Sequence, residues 1–497
     1  MSSDKSRAGS MDSTGDDYGL RVVMLPWLAH GHASPFLELA KRLSRHDVFV
    51  DFCSTPANLV SMREQFDANA FPSIRLVELQ LPALPGLPPD LHTTKHLPSH
   101  LMPTLKQAFD LAEPDFGLLL HALHPDLLIY DFLQPWAPLS AHRRNIPAIQ
   151  FLTTAASSAA FFCHCIKRPT EEFPFPAMSL GVKENLEHIA TMNRFANGMS
   201  DGERFLRCMD RSSGFIAIRT FREIEAKYID YLSCVLDKEV VPVGPLVPDD
   251  DDDDDDDGSS GRDRLTDKDR ETERSIMSWL GAKEKSSVVL ATFGSEYFMC
   301  KEEMREVARG LELSGLSFIW VVRFPKDGIL PTVAGDSSSW ATALPSGFVE
   351  RVVKGEGRGL VVEGWAPQRK ILSHPGVGGF LTHCGWSSVV EAMKYGVPII
   401  ALPLQLDQPP NAKLVEELGV GMAVRKGKGV LGEFEGEEVA KGIRDVVVGE
   451  QGESVRRKAR QMARVISRRD DEEIKVLVEK MAALCEAAKR DGREVMR

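Results

Sequence analysis

The sequence predicts an α/β protein of two Rossmann-like parallel-sheet domains facing each other across a cleft, and three observations lead there. A short apolar run, a helix with one apolar face and a second apolar run follow one another from about residue 20. The same order returns in the second half, from about residue 286. Between the halves lies a stretch of proline, aspartate, glycine and serine that offers nothing to a core. Strand–helix–strand order implies parallel pairing, and ligands of such sheets lie outside the carboxyl ends of the strands.

Residues 1–19 form a polar leader with Asp4, Asp12, Asp16 and Asp17 and no apolar segment, which argues against a secretory signal. Leu20 to Leu28 (LRVVMLPWL) reads as a buried strand stopped by Pro26. Ser34 to His46 reads as a helix with Ser34 as N-cap and Pro35 at its first position, its apolar face formed by Phe36, Leu37, Leu39, Ala40 and Leu43. Asp47 to Thr55 is the next strand, and Asp126–Phe132, Pro147–Thr154 and Gly214–Thr220 continue the sheet. Val241 to Arg264 reads as an exposed linker, because Asp249 to Asp257 is an unbroken run of like charge that repels itself.

The second sheet is expected from Ser286–Gly294 and Ser317–Phe324, with the helix Lys301–Gly315 between them. The runs GLVVEGW, GGFLTHC and PIIALPL complete it. The predicted divisions are 20–247 for a first Rossmann-like domain, 248–270 for the acidic linker, 271–465 for a second Rossmann-like domain and 466–497 for a helical end segment. That segment either covers the outside or crosses back to the first domain.

Bulk properties exclude several classes. The net charge of −12 falls to −3 without the aspartate run, so no basic stripe suggests a nucleic-acid partner. The eight cysteines are scattered with no C-x-x-C pair, as expected of reduced thiols in a cytoplasmic protein. No stretch approaches the roughly 18 apolar residues of a membrane span. A His30–His32 metal pair lacks any second cluster at ligand spacing, so no metal is expected.

The chemistry concentrates between Trp365 and Gln408 (WAPQRKILSHPGVGGFLTHCGWSSVVEAMKYGVPIIALPLQLDQ). Its centre reads as a strand, a turn at Gly385 and a helix from Trp386 to Tyr395 that Ser387 or Ser388 can cap. A helix N-terminus after a parallel strand is a seat for phosphate. There His383 and the serine hydroxyls are further donors, and Gly385 permits close approach. A plain capping box between Ser388 and Glu391 is the alternative. Trp365 ends another strand and can stack on a flat base, with Gln368 near a ribose. Asp407 and Gln408 end a third strand with the mixed acceptors and donors that sugar hydroxyls need. Base, phosphate and sugar together describe a nucleotide-sugar. In the first half, His32 follows the first strand and has a pKa suited to take a hydroxyl proton, with Asp131 placed by topology behind it.

This 44-residue stretch resembles the signature box of plant family-1 UDP-dependent glycosyltransferases, which opens on Trp and closes on Gln. The resemblance extends from about Leu20 to the C-terminus. It implies a GT-B arrangement in which Trp365 stacks on uracil, the Ala366 backbone holds the base edge, and Gln368 and Glu391 hold the ribose. His383, Trp386, Ser387 and Ser388 would face the diphosphate, and Asp407 and Gln408 the transferred sugar. Ser295 and Thr154 would be additional donor contacts, and His32 and Asp131 match the base and its partner. Ser387 departs from the asparagine common there. The stretches PWLAHGHASPFLELAKRLS, LLIYDFLQPWAP and FGSEYF resemble the branch that adds sugar to a sugar already carried by a plant metabolite. UDP-glucose is then the expected donor substrate and a flavonoid, terpenoid or apocarotenoid glycoside the acceptor, in an inverting reaction without metal or other cofactor. A monomer is expected. A dehydrogenase is disfavoured because GVGGF lacks the following helix and spaced acidic residue. A transferase acting on aglycone hydroxyls is the alternative, a nucleotide-sugar epimerase of the same architecture would release free sugar or an epimerised donor without any acceptor, and a non-catalytic UDP-sugar binder would not need His32 and Asp131.

Overall fold

The computed structural model describes residues 19–63, 66, 68–248, 267–294, 297–324, 329–331, 337–339, 344–425, 434–467 and 472–495. The aspartate run and Ser295 lie outside them.

The N-terminal sheet has seven strands: β1 (Leu20–Leu25), β2 (Val48–Ser54), β3 (Ile74–Glu78), β4 (Leu127–Tyr130), β5 (Ala148–Leu152), β6 (Phe215–Ile218) and β7 (Glu239–Pro242). Their order is β3-β2-β1-β4-β5-β6-β7 and every pairing is parallel. The C-terminal sheet has six: β8 (Val288–Thr292), β9 (Ser317–Val322), β10 (Gly359–Glu363), β11 (Val377–Thr382), β12 (Ile399–Ala401) and β13 (Gly421–Ala423). They run β10-β9-β8-β11-β12-β13, again all parallel. Both sheets therefore reverse their winding between the first and fourth strands, β1/β4 and β8/β11, which opens a crevice at those carboxyl ends.

Alternation along each strand supplies both faces with apolar side chains. Val22 and Met24 join Phe36, Leu39 and Leu43 in one cluster, while Val23 and Leu25 pack with Phe109, Phe116 and Trp136 in another. In the second sheet Val288 and Leu290 face one layer, and Val289 and Ala291 face the layer holding Trp320 and Ile443. One buried cluster contains Leu152 and Ala156 from the first domain with Trp386 and Ala412 from the second, so the domains share apolar packing.

Four helices matter for the site: α1 (His30–Ser44), α2 (Trp386–Tyr395), α3 (Gln408–Leu418) and α4 (Glu472–Val495). Here the expected start of α1 is corrected. Ser34 is not its N-cap; the helix begins five residues earlier, after the extended Ala29, whose carbonyl accepts from the backbone N–H of His32 and Ala33. His32 is thereby the third helical residue and Pro35 lies inside the helix. The linker reading of Val241–Arg264 also needs correction at its start, and the predicted 248–270 division at its end. Glu239–Pro242 is the edge strand β7, Val243, Leu246 and Val247 are buried, and a helix already runs over Asp267–Gly281. The strands β3, β7 and β13 escape a reading of apolar runs because they are short and interrupted by charge, proline or glycine.

The C-terminal segment crosses back. Ile474, Leu477, Met481 and Cys485 of α4 are buried in the same cluster as Val22 and Leu127 of the first domain. Lys480 pairs with Glu239 at 2.9 Å and Lys489 with Asp126 at 2.7 Å. Leu477 is fully buried, so Leu477→Ala should cost about 2–4 kcal/mol of stability, seen as a lower denaturant midpoint. Val476→Ala on the exposed side of the same helix should stay within about 0.5 kcal/mol.

Candidate active site

The crevice of the first sheet holds an imidazole and a carboxylate. β1 ends at Leu25 and feeds α1, so His32 projects from the first turn of that helix; β4 ends at Tyr130, one residue before Asp131. His32 Nδ1 lies 2.9 Å from Asp131 Oδ2. Asp131 is 1% exposed and accepts from the backbone N–H of Trp27 at 3.0 Å and of Phe132 at 2.8 Å. Each of these neighbours is a donor, which suits an acceptor-only carboxylate. With Nδ1–H donating to Asp131, a neutral ring carries its basic lone pair on Nε2. The Phe132 ring stacks on the imidazole, centroids 4.9 Å apart at 18°, and Thr153 Oγ1 lies 3.1 Å from Nδ1. Neither Phe132 nor Thr153 has a signal in the sequence beyond its place at a strand end.

The crevice of the second sheet is built on the turn His383–Cys384–Gly385. α2 begins at Trp386 with Gly385 as its N-cap and no side-chain cap, so the expected serine cap does not form. Val389 makes the first bond of the helix, to Gly385 O at 3.1 Å, and the backbone N–H groups of Trp386, Ser387 and Ser388 have no intrahelical acceptor. The capping box fails as well, because Glu391 turns to Gln368 Nε2 at 2.8 Å. Cys384 takes a left-handed conformation, φ +64, and its carbonyl accepts from Asn411 Nδ2 at 3.0 Å. His383 is packed between two glycines. A Cβ on Gly294 would come 2.8 Å from its Nε2, and one on Gly385 would come 2.6 Å from it. Burial pulls the His383 pKa down to about 4, so the ring is neutral at pH 7.

Around this turn the other expected residues assemble. Trp365 and Ala366 follow β10, both half-buried, and Ala366 O accepts from Gln368 N at 2.9 Å. Gln368 Oε1 accepts from Thr292 Oγ1 at 2.8 Å, which ties the end of β8 to Gln368 and through it to Glu391. Burial raises the Glu391 pKa against the lowering effect of Gln368. Asp407 Oδ2 accepts from Thr154 Oγ1 of the first domain at 2.8 Å and from Asn411 Nδ2 at 3.1 Å. Gln408 is buried and its amide oxygen accepts from the backbone N–H of Leu404 and Gln405, so half of its side chain holds the preceding loop. Trp386 turns its indole into the shared core and donates to Arg219 O at 2.7 Å; only its backbone faces the turn. Ser387 Oγ accepts from Arg219 Nη1 at 2.6 Å, and Ser388 is buried. Among the described residues no His, Cys, Asp and Glu side chains are grouped as metal ligands.

Sequence reasoning missed Thr153, Phe132, Thr292, Arg219 and Asn411. Asn411 alone had a signal: it stands one helical turn after Asp407.

His383 generates a pH prediction. Its folded pKa is below the unfolded value, so the unfolded chain binds the extra proton first on acidification. The stability owed to the neutral ring is present above pH 6.5 and is lost as pH falls toward about 4. Proton NMR should find this ring still neutral at pH 5.5; titration near 6.5 would contradict the burial argument.

Comparison with known proteins shows the family of the chain. Residues 266–450 match the family described as UDP-glucoronosyl and UDP-glucosyl transferase, and residues 19–248 match the glycosyltransferase N-terminal domain. The chain is 46% identical over 470 residues to UDP-glucosyltransferase 29 of Panax ginseng, covering 95% of this chain and 98% of that one. It is 42% identical over 465 residues to the beta-D-glucosyl crocetin beta-1,6-glucosyltransferase of Gardenia jasminoides, covering 93% and 98%. The fold superposes on Glycyrrhiza uralensis UGT73P12, solved with glycyrrhetinic acid 3-O-monoglucuronide, with a TM-score of 0.76 over 96% and 98% of the chains at 22% identity, a likeness of fold. With both halves matched and relatives above 40% identity along nearly its whole length, the chain belongs to the UDP-glucuronosyl and UDP-glucosyl transferase family.

Proposed function

We propose that this UDP-dependent glycosyltransferase moves glucose from UDP-glucose onto a sugar hydroxyl of a small-molecule glycoside, with His32 as general base and Asp131 as its orienting partner. One observation carries the reading. Two consecutive threonines at the end of β5 reach both halves of the site: Thr153 lies 3.1 Å from His32 Nδ1, and Thr154 donates to Asp407. The residue assigned to the sugar end of the donor is therefore held beside the base.

The chemistry follows from that placement. A sugar hydroxyl is a weak nucleophile until it loses its proton, and His32 Nε2 is poised to take it. The acceptor oxygen then forms a bond to the anomeric carbon while the bond from that carbon to the UDP oxygen breaks. The configuration inverts in this single displacement. Charge leaving on UDP develops toward the first turn of α2, where backbone N–H groups and the helix dipole favour an anion. In this reading Trp365 stacks on uracil beside the Ala366 backbone, Gln368 and Glu391 hold the ribose, and His383, Gly385, Trp386, Ser387 and Ser388 surround the diphosphate. Asp407, Gln408 and Thr154 address the sugar. No step needs a metal, and the enzyme is taken to act as a cytoplasmic monomer. No helix among the described residues is long and apolar enough to cross a membrane.

The glycoside acceptor is supported by the Gardenia relative, whose name places a glucose on a glucosyl crocetin. Incubating the protein with a panel of UDP-sugars, free aglycones and their glucosides, with products read by mass spectrometry, tests it. Transfer to glucosides is expected; transfer to aglycones with glucosides ignored sinks the acceptor assignment. His32→Ala should reduce turnover by about 10²–10⁴-fold while the UDP Kd stays within about twofold. Asp131→Asn should leave the fold intact and lower kcat by about 10³–10⁴-fold, because the orienting acceptor for Nδ1–H is lost. Unaltered turnover in His32→Ala removes the base assignment.

A further inference from the structure

Arg219 comes from the first domain, just after β6, and is 3% exposed. Its guanidinium donates to Pro245 O at 2.8 Å, Leu246 O at 3.1 Å and Ser387 Oγ at 2.6 Å. None of these oxygens is a carboxylate. Its own carbonyl accepts the indole N–H of Trp386. One residue thus grips two successive residues in the first turn of α2, at the turn that the proposed function gives to the diphosphate. Burial lowers the Arg219 pKa to about 10, with Glu391 and Glu38 pulling the other way, so the side chain is still a cation at neutral pH. A buried cation whose bonds among the described residues go only to neutral oxygens is expensive to keep, and a nearby anion lowers that cost.

We propose that Arg219 is a positioning residue for the donor diphosphate. By donating to Ser387 Oγ it fixes that oxygen as an acceptor toward the guanidinium, which directs the hydroxyl's own proton away from it and toward the phosphates. It also adds a fixed positive charge to the N-terminal end of α2. Nothing in the sequence points to it, since Arg219 and Ser387 are 168 residues apart. The proposal rests on the reading that the diphosphate lies at that turn.

Calorimetric titration with UDP and with uridine, which has the base and ribose but no phosphate, separates the roles. Arg219→Met and Ser387→Ala should each weaken UDP about tenfold and leave uridine within about twofold, a charge-assisted contact being lost only with the phosphates. Arg219→Lys should fall between wild type and Arg219→Met. The double variant should bind UDP no more weakly than Arg219→Met alone, because the serine acts with the arginine. Thermal midpoints are read alongside. Unchanged UDP affinity in a variant that keeps its midpoint overturns the proposal, and so does an equal loss of UDP and uridine. If Arg219→Met does not fold, Ser387→Ala decides on the same criteria. Trp365→Ala distinguishes the underlying reading: if it leaves both ligands bound as before, the donor-site assignment falls and this proposal with it. If it weakens both while Arg219→Met and Ser387→Ala leave UDP unchanged, only the role of Arg219 falls.

Discussion

Thr153 and Thr154 connect the imidazole of one domain to the carboxylate of the other through a single strand end. Thr153 approaches His32 Nδ1 and Thr154 donates to Asp407 Oδ2, while Ser158, in the helix that follows, donates to Asn411 Oδ1 at 2.8 Å. β5 is buried along its whole length, so this link hangs on a rigid element rather than on a loop. Hydrogen bonds to charged groups contribute about 1.5–3 kcal/mol each. Their larger effect here is geometric. A displacement in which proton removal and bond formation occur together tolerates an error of about 1 Å poorly. His32 cannot drift from Asp407 without breaking the bond between Thr154 and Asp407 or bending β5.

On the donor side the charge arrangement follows from packing. Gly294 and Gly385 leave room for His383 only by lacking side chains, and the enclosure that results keeps the ring neutral. A neutral imidazole offers one N–H and no charge. In the proposed reading, compensation for a diphosphate comes from the uncapped turn of α2 and from Arg219, which is why the missing serine cap matters. Had Ser387 or Ser388 capped the helix, an orphan N–H would already be satisfied. The fixed dipoles and the buried cation stand in place before any anion arrives, and such preorganised groups need no reorganisation when charge develops.

Much of this was legible in the sequence, for identifiable reasons. The helix from Trp386 to Tyr395 has the bounds read from the sequence because Gly385 before it and Gly396 after it are local signals. The strands β1, β8 and β9 announce themselves as apolar runs ended by proline, glycine or charge. The cap at Ser34 was misplaced because capping depends on the backbone angles of Ala29, which residue type does not specify. Ser387 and Ser388 misled for the same reason. β7 was hidden in EVVP, since an edge strand pairs on one side only and tolerates proline. Arg219, Thr153 and Thr292 were invisible because their partners lie far along the chain, and an ordinary strand-end arginine or threonine carries no mark of what it will meet.

The polar bonds between the domains are not spread evenly over the contact. Arg219 holds the first turn of α2 and Lys394 in its last turn donates to Pro248 O at 2.7 Å. Thr154 and Ser158 hold Asp407 and Asn411 at the start of α3, and Tyr228 and Lys227 bond Glu417 near its end. These contacts fall on the two helices whose N-termini carry the residues assigned to the phosphates and the sugar. Among the described residues these polar bonds between the domains therefore fall on the supports of the proposed donor site. In the proposed reading a substitution at one of these contacts, even one distant from any ligand atom, shifts the donor relative to His32, so its kinetic effect belongs to alignment as much as to domain stability.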